Sequence, residues 1–404
     1  RKDTWKMEKP AIEGGKPARE QKIFYGHQYI DEDDIQAVVE VLRSDYLTCG
    51  PKIKELEEKL CSLTGAKYAV VCSNGTAALH IAALSAGVGE GDEVITTPIT
   101  FAASANCALY CGARPVFVDI DPETYNIDPK KVEAAITPRT KAVVAVDYTG
   151  QSADLAPLLQ ICKEHHLTLI EDGAHVIGTK YKGQMNGSIA DMTMFSFHPV
   201  KTVTGGEGGV ILTNDEGYYK KLLLYRSHGI TRDEEQMQHE PDGAWYYEQV
   251  DLGYNYRMTD MQAALIISQL DKLPMFAARR KEIVARYNEA FAGMPALSIQ
   301  REIPESDTTR HLYILRIVPE KLRIDRRQFF DALAAENVCC NVHYIPVYYF
   351  PYYEKLGYCR GLCPNAEKLY EEMITLPLYY AMSDGDVESV IEAVTKIVTF
   401  YRKD

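Results

Sequence analysis

The chain contains no apolar run approaching the roughly 20 residues that a membrane-crossing helix requires, so a membrane-spanning function is not expected. It also lacks basic runs, and its formal net charge is −13. A nucleic-acid binder needs clustered Lys and Arg to neutralise phosphates, so that class is excluded as well. Ten cysteines are present, yet none form a Cys-x-x-Cys pair. With no tetrahedral Cys/His set in view, no metal site is predicted, and reduced, mostly buried thiols of a cytoplasmic protein are expected. Arg1–Glu20 is polar and lacks the apolar core of a secretory signal. There is no internal repeat and no low-complexity stretch. Gly87-Val88-Gly89-Glu90-Gly91 imitates a dinucleotide loop, but it follows a helical pattern and precedes a strand pattern, the reverse of the required order.

What is present is an ordinary globular composition, 46% hydrophobic and 25% charged over 404 residues, long enough for two domains. From about residue 55 to 215, short apolar runs (69–72, 93–97, 116–118, 142–146, 167–170) alternate with helical patterns (53–63, 76–86, 101–111, 153–165). Such alternation predicts an α/β fold with a mainly parallel sheet covered by helices on both faces. Helices are predicted at 215–226 and 259–291. After Gly293 the pattern changes to strand (311–318), helix (326–336), strand (338–342) and a final helix (384–400). The expected division is an N-terminal extension (1–22), a large domain (23–293) and a small α+β C-terminal domain (294–404).

The chemistry concentrates at the carboxyl ends of the predicted strands, where such sheets bind ligands. One run ends in Glu171-Asp172. Another ends in Ser196, followed five positions later by Lys201 and then by Gly205-Gly206-Glu207-Gly208-Gly209. A strand-end carboxylate, a strand-end hydroxyl and a lysine on a Gly-rich loop are the set that pyridoxal phosphate chemistry needs: pyridinium partner, phosphate ligand and Schiff-base lysine. Ser73-Asn74-Gly75-Thr76 lies between strand and helix, so Gly75 and Thr76 are expected to offer helix-start amides and a hydroxyl to the phosphate. Phe101 and Ala174 are the candidates for the two ring faces. His175 is expected to hydrogen-bond either Asp172 or the pyridoxal phenolate. The tyrosine-rich run His343–Tyr353 reads as core packing, with a ligand-site wall as the alternative.

With these motifs in hand, the chain resembles the DegT/DnrJ/StrS-type sugar aminotransferases, a branch of fold-type I pyridoxal phosphate enzymes. The resemblance runs from about Ile23 to Tyr401. It rests on Tyr46-Leu47-Thr48-Cys49-Gly50-Pro51, Ser73–Leu79, Glu171–His175, Phe195–Lys201 with Gly206–Gly209, and Leu252–Asp260. It implies a homodimer with shared active sites, in which Asn255 reaches the cofactor phosphate of the partner subunit. It further implies a ping-pong reaction through pyridoxamine phosphate, with L-glutamate as donor, Asp172 holding the ring-nitrogen proton and Lys201 shuttling the proton. Within the family, Phe197–Lys201 and Thr149–Asp154 are most similar to the pseudaminic acid branch, which aminates carbon 4 of a UDP-linked 4-keto-6-deoxy-N-acetylhexosamine. The 4-amino-arabinose branch is second, and a perosamine-type substrate is a further alternative. Two positions depart from the pattern: Asp147, where a histidine is expected, and Gly205, where threonine is usual. Thr48 and Tyr344 are candidate substrate contacts, and Arg226, His228, Arg257 and His343 are candidate cations for a nucleotide diphosphate. Rival readings are a sugar dehydratase, against which Lys201 argues, a non-catalytic pyridoxal-phosphate-binding scaffold or regulator, and a nicotinamide-dependent dehydrogenase.

Overall fold

The computed structural model describes residues 8–403. Residues 1–7, the start of the expected N-terminal extension, and residue 404 lie outside the described part. A seven-stranded sheet forms from β1 (Tyr68–Cys72), β2 (Glu93–Thr96), β3 (Arg114–Phe117), β4 (Thr140–Val146), β5 (Thr168–Asp172), β6 (Met192–Ser196) and β7 (Gly209–Thr213). Its order is β1-β7-β6-β5-β4-β2-β3, and every neighbouring pair is parallel except those made by β7. This is the mainly parallel sheet that the alternating sequence pattern predicts. The strands are near-continuous apolar runs because both faces are covered. Along β1, Val70 and Cys72 join one core while Ala69 and Val71 join the other.

The covering helices are α1 (Glu32–Leu42), α2 (Pro51–Thr64), α3 (Gly75–Ser85), α4 (Ala103–Tyr110), α5 (Leu155–Glu164), α6 (Glu216–Arg226), α7 (Asp260–Asp271) and α8 (Leu273–Phe291). α3 is buried almost all round, packed between the sheet and helices α4 and α6, which explains its small alanine side chains. The sequence pattern had suggested one helix over 259–291. The chain instead divides at Lys272, because Pro274 in the first turn of α8 has no N–H to continue the ladder. α1 was not anticipated, although Asp31 and Asp34 form a capping box at its start.

The C-terminal region adds an antiparallel sheet of β8 (Leu297–Ile299), β9 (Tyr313–Ile317) and β10 (Met373–Leu376), with β9 central. Helices α9 (Arg326–Ala335) and α10 (Asp384–Tyr401) cover it. β10 escaped the sequence reading. The predicted strand 338–342 shrinks to Val338–Cys339, which pairs in parallel with Ile23–Phe24. The chain before α1 is therefore laid along the C-terminal region. α8 runs between the two cores: Leu273 packs with the large sheet's outer face, and Ile283, Val284, Tyr287 and Phe291 pack with the C-terminal sheet. No helix among the described residues is long and apolar enough to cross a membrane.

Candidate active site

Three strand ends converge. β5 ends in Asp172, β6 ends in Ser196, and β1 leads through Ser73-Asn74 into α3. Asn74 caps α3, its Oδ1 accepting from the Ala77 N–H at 2.8 Å, which leaves the first amides of the helix facing the sheet end. Two glycines make this approach possible. A Cβ on Gly75 would stand 3.2 Å from both Met194 Sδ and Ser196 Cβ, and one on Gly209 would stand 2.5 Å from the Asn74 carbonyl oxygen. The start of α3 can cross β7 this closely because β7 has no side chain at Gly209.

The Lys201 loop continues the β6–β7 pair. Phe197 N–H donates to Gly208 O at 2.8 Å, Gly205 N–H to Phe197 O at 2.9 Å and Lys201 N–H to His198 O at 2.9 Å. Gly205, the departure from the expected threonine, abuts Ile266, whose side chain would lie 2.7 Å from an added Cβ. The other departure, Asp147, is fully buried behind the strand ends. Its Oδ1 accepts from Ala153 N–H at 2.7 Å and its Oδ2 has no partner. Burial and the neighbouring Glu171 hold its carboxyl well above the ordinary range.

A cavity of about 660 Å³ opens over this floor, within the size range of small-molecule sites. Gly75, Thr76, Phe101, Asp172, Ala174, His175, Ser196, Lys201, His343 and Tyr344, all singled out in the sequence, line it. Asp172 accepts from Ser104 Oγ at 2.5 Å and from the Ala174 N–H at 3.2 Å. Burial pushes its carboxyl upward, while those two donors and Lys201 pull the other way. Burial lowers Lys201 to about 8, against the pull of Asp172. Burial likewise lowers His343 to about 4 and holds His175 well below the usual histidine value, with Lys201 adding to both shifts. These imidazoles are neutral at pH 7. His175 does not bond Asp172: its Nε2 meets the Tyr344 hydroxyl at 3.1 Å, and its Nδ1 is buried without a partner.

The remaining candidates do not line the cavity of their own chain. Thr48, His228 and Asn255 are exposed, Thr48 bridging to Thr259 and Asn255 to Ser227. Arg257 is half-buried beside them. Arg226 is spoken for: its Nη1 donates to Glu57 Oε1 at 2.8 Å and to Val71 O at 3.2 Å. Conversely, Tyr25, Tyr110, His198, Glu207 and Tyr256 line the cavity and were not named as site residues. Tyr256 adjoins Asn255 in a matched motif, so a signal for it existed. Ser104 carried none.

The family model for DegT/DnrJ/EryC1/StrS aminotransferases matches residues 28–395. The chain belongs to this family. It is 43% identical over 376 residues to the spore coat polysaccharide biosynthesis protein SpsC of Bacillus subtilis, covering 93% of this chain and 96% of SpsC. It is 36% identical over 385 residues to the UDP-4-amino-4,6-dideoxy-N-acetyl-beta-L-altrosamine transaminase of Campylobacter jejuni, covering 94% and 99%. Among solved structures, Spr1654 of Streptococcus pneumoniae in its PMP-form superposes with a TM-score of 0.87 at 35% identity, covering 93% of this chain and 99% of Spr1654. The protein is a pyridoxal-phosphate-dependent aminotransferase.

The residues of this aminotransferase fit that cofactor. The start of α3 at Gly75 and Thr76, with Ser196 lining the same cavity, suits a phosphate. The unpartnered His175 Nδ1 suits an oxygen on the ring, and the buried Asp172 carboxylate suits a protonated ring nitrogen. Phe101, 64% exposed, is a flat apolar surface at the cavity edge. Ala174 leaves room for a ring on the other side.

Proposed function

We propose that this aminotransferase moves an amino group from L-glutamate to carbon 4 of a UDP-linked 4-keto-6-deoxy-N-acetylhexosamine. The observation that carries the reaction type is the buried Asp172 beside a lysine lowered to about 8 on the floor of a 660 Å³ cavity. The substrate follows from the Campylobacter jejuni relative, whose named product carries a nitrogen on carbon 4, lacks oxygen at carbon 6 and rides on UDP. The greater identity to SpsC favours a second reading, amination of another nucleotide-linked keto sugar destined for a polysaccharide; the 4-amino-arabinose and perosamine types belong to that reading.

In the mechanism, Gly75, Thr76 and Ser196 would hold the cofactor phosphate, Asp172 would pair with the ring nitrogen and Lys201 would hold the carbonyl end. When bound, pyridoxal phosphate supplies a carbonyl for amines to condense with and a ring that accepts an electron pair. The chain supplies the proton handling. Asp172 keeps a proton at the ring nitrogen. Lys201 Nζ, neutral in a sizeable fraction near pH 8, would take the proton from the donor's Cα as general base and give it up again as general acid. His175, neutral and fixed by Tyr344, presents one ring nitrogen to the cavity without adding charge. The same groups acting in reverse order deliver nitrogen to the keto sugar.

The partner in this reading is a second copy of the chain. Tyr46, Leu47, Trp245, Tyr247 and Leu252 are large apolar side chains left exposed in the single chain, available to be covered by a second subunit. Asn255 then serves the partner's phosphate, with Thr48, His228 and Arg257 disposed toward the partner's substrate. The free thiols fit a reducing cytoplasm. The deciding assay incubates the protein with L-glutamate and a panel of UDP- and dTDP-linked 4-keto sugars, with product structure read by NMR. No turnover of any UDP-linked member, or amination at a carbon other than 4, would refute the proposal.

A further inference from the structure

Lys201 lines a second opening besides the cofactor cavity. This narrow cleft of about 10 Å³ has its mouth at His27 and Gln28, which are exposed, and its walls include Thr202, Thr204, Tyr380 and Arg280. It belongs to neither the phosphate site nor the tyrosine wall.

Arg280, on α8, is the unusual group. Its side chain is 3% exposed. Nη1 donates to the carbonyl oxygens of His311 at 3.2 Å and Leu378 at 3.1 Å. Its Nε has no partner, and no carboxylate among the described residues pairs with it. Three other buried or half-buried cations among the described residues are matched: Lys396 with Glu336 at 2.7 Å, Lys272 with Asp34 at 2.8 Å and Arg310 with Glu302 at 2.6 Å. Burial lowers Arg280 to about 10, which leaves it protonated at neutral pH. A buried charge without a counterion is costly, and an arginine fork presents paired donors to an acceptor. The cleft has room for about one water-sized particle, so it admits a monatomic ion and excludes a nucleotide or an amino acid.

We propose that this cleft binds one small monovalent inorganic anion of the chloride class, held by the Arg280 guanidinium. The inference concerns the side of Lys201 away from substrate and holds whichever sugar the enzyme aminates. Bound there, the anion offsets the buried guanidinium and sets the charge next to the catalytic lysine.

Crystals of the wild-type holoenzyme grown with bromide in place of chloride test this directly by anomalous diffraction. A bromide peak against Arg280 is expected. A water or no density there, even with bromide bound elsewhere, overturns the proposal. In solution, the melting temperature of the holoenzyme is followed as chloride replaces gluconate at constant ionic strength. A saturable rise is expected in the wild type and its loss in Arg280→Gln; equal rises in both proteins refute the site. Should Arg280→Gln not fold, Thr202→Met, which fills the cleft, serves in its place. It is expected to abolish the saturable rise, and retention of that rise counts against the proposal.

Discussion

The cavity floor and the outer face around Asn255 are built on different terms. On the floor, Asp172, Ser196, Gly75 and Lys201 come from strand ends and one tight loop of a single sheet, and all line one cavity. On the outer face, Thr48, His228 and Asn255 are exposed and open toward solvent, bound to one another's segments through the bridges Thr48–Thr259 and Ser227–Asn255. One chain's sheet suffices to fix the first group. The second group is held in place by its own chain yet lines no part of that chain's cavity. In the dimer proposed above, such positions would be folded by one subunit for the use of the other.

The largest expected effect is at the floor. Lys201→Ala should lose both the yellow chromophore of the lysine-linked cofactor and amino transfer, by about 10⁴-fold or more, since proton transfer alone is worth up to that much. Absorbance and a glutamate half-reaction read it; a variant that keeps both removes Lys201 from the mechanism. Asp172→Asn should retain cofactor but slow the half-reaction by about 10²–10³-fold, about 3–4 kcal/mol of lost electrostatic stabilisation. Stopped-flow spectra check this, and near-normal rates would make Asp172 a strand-end structural residue.

The outer face is tested by mixing. Inactive Lys201→Ala and Asn255→Ala proteins, allowed to exchange subunits, should recover about a quarter of wild-type activity, because half of randomly formed dimers are hybrids with one intact site in two. No recovery, with exchange verified by mass spectrometry, returns Asn255 to its own chain.

A smaller effect separates the two regions by pH. Lys201 is lowered to about 8, so cofactor capture by the cofactor-free enzyme should rise with pH and level off above 8. At pH 7 it should be about tenfold below the plateau, one unit under the pKa. A rate still climbing tenfold per unit at pH 9.5 would show an ordinary solvated lysine.

The smallest effect concerns the underside of the floor. Asp147 is held protonated to higher pH in the folded state by burial and Glu171. Its stabilising contribution is therefore present at low pH and lost as pH rises through the folded value. An amide in its place cannot ionise, so Asp147→Asn should raise the melting temperature at pH 8 relative to its effect at pH 5, by about 1–2 °C. Calorimetry at both pH values checks the sign, and a greater loss at pH 8 would reverse it.

Much of this is legible in the sequence. Asp172, Ser196 and Lys201 could be read because strand, turn and loop follow one another in sequence, and alternation of apolar runs with helical patterns places strand ends together. Two helices merged in the reading because α7 and α8 share a periodic pattern, and the proline between them outweighs it. β10 was passed over because Met373–Leu376 is a four-residue run flanked by helix and loop, and its pairing with β9 joins segments distant along the chain.

The sequence by itself determined the sheet, the cofactor and the residues on the floor, since each depends on spacing within a few residues of a strand end. Only the tertiary structure decided how those residues are partnered. Ser104 reaches Asp172 from 68 residues away, and Tyr344 reaches His175 from 169 residues away. Glu57 takes Arg226, 169 residues distant, and withdraws it from the role of substrate cation. Such pairings are set by which buried polar groups the packed helices and sheet bring within hydrogen-bond reach, and by the cost of leaving any of them unpaired. That cost appears only once the chain has folded around them.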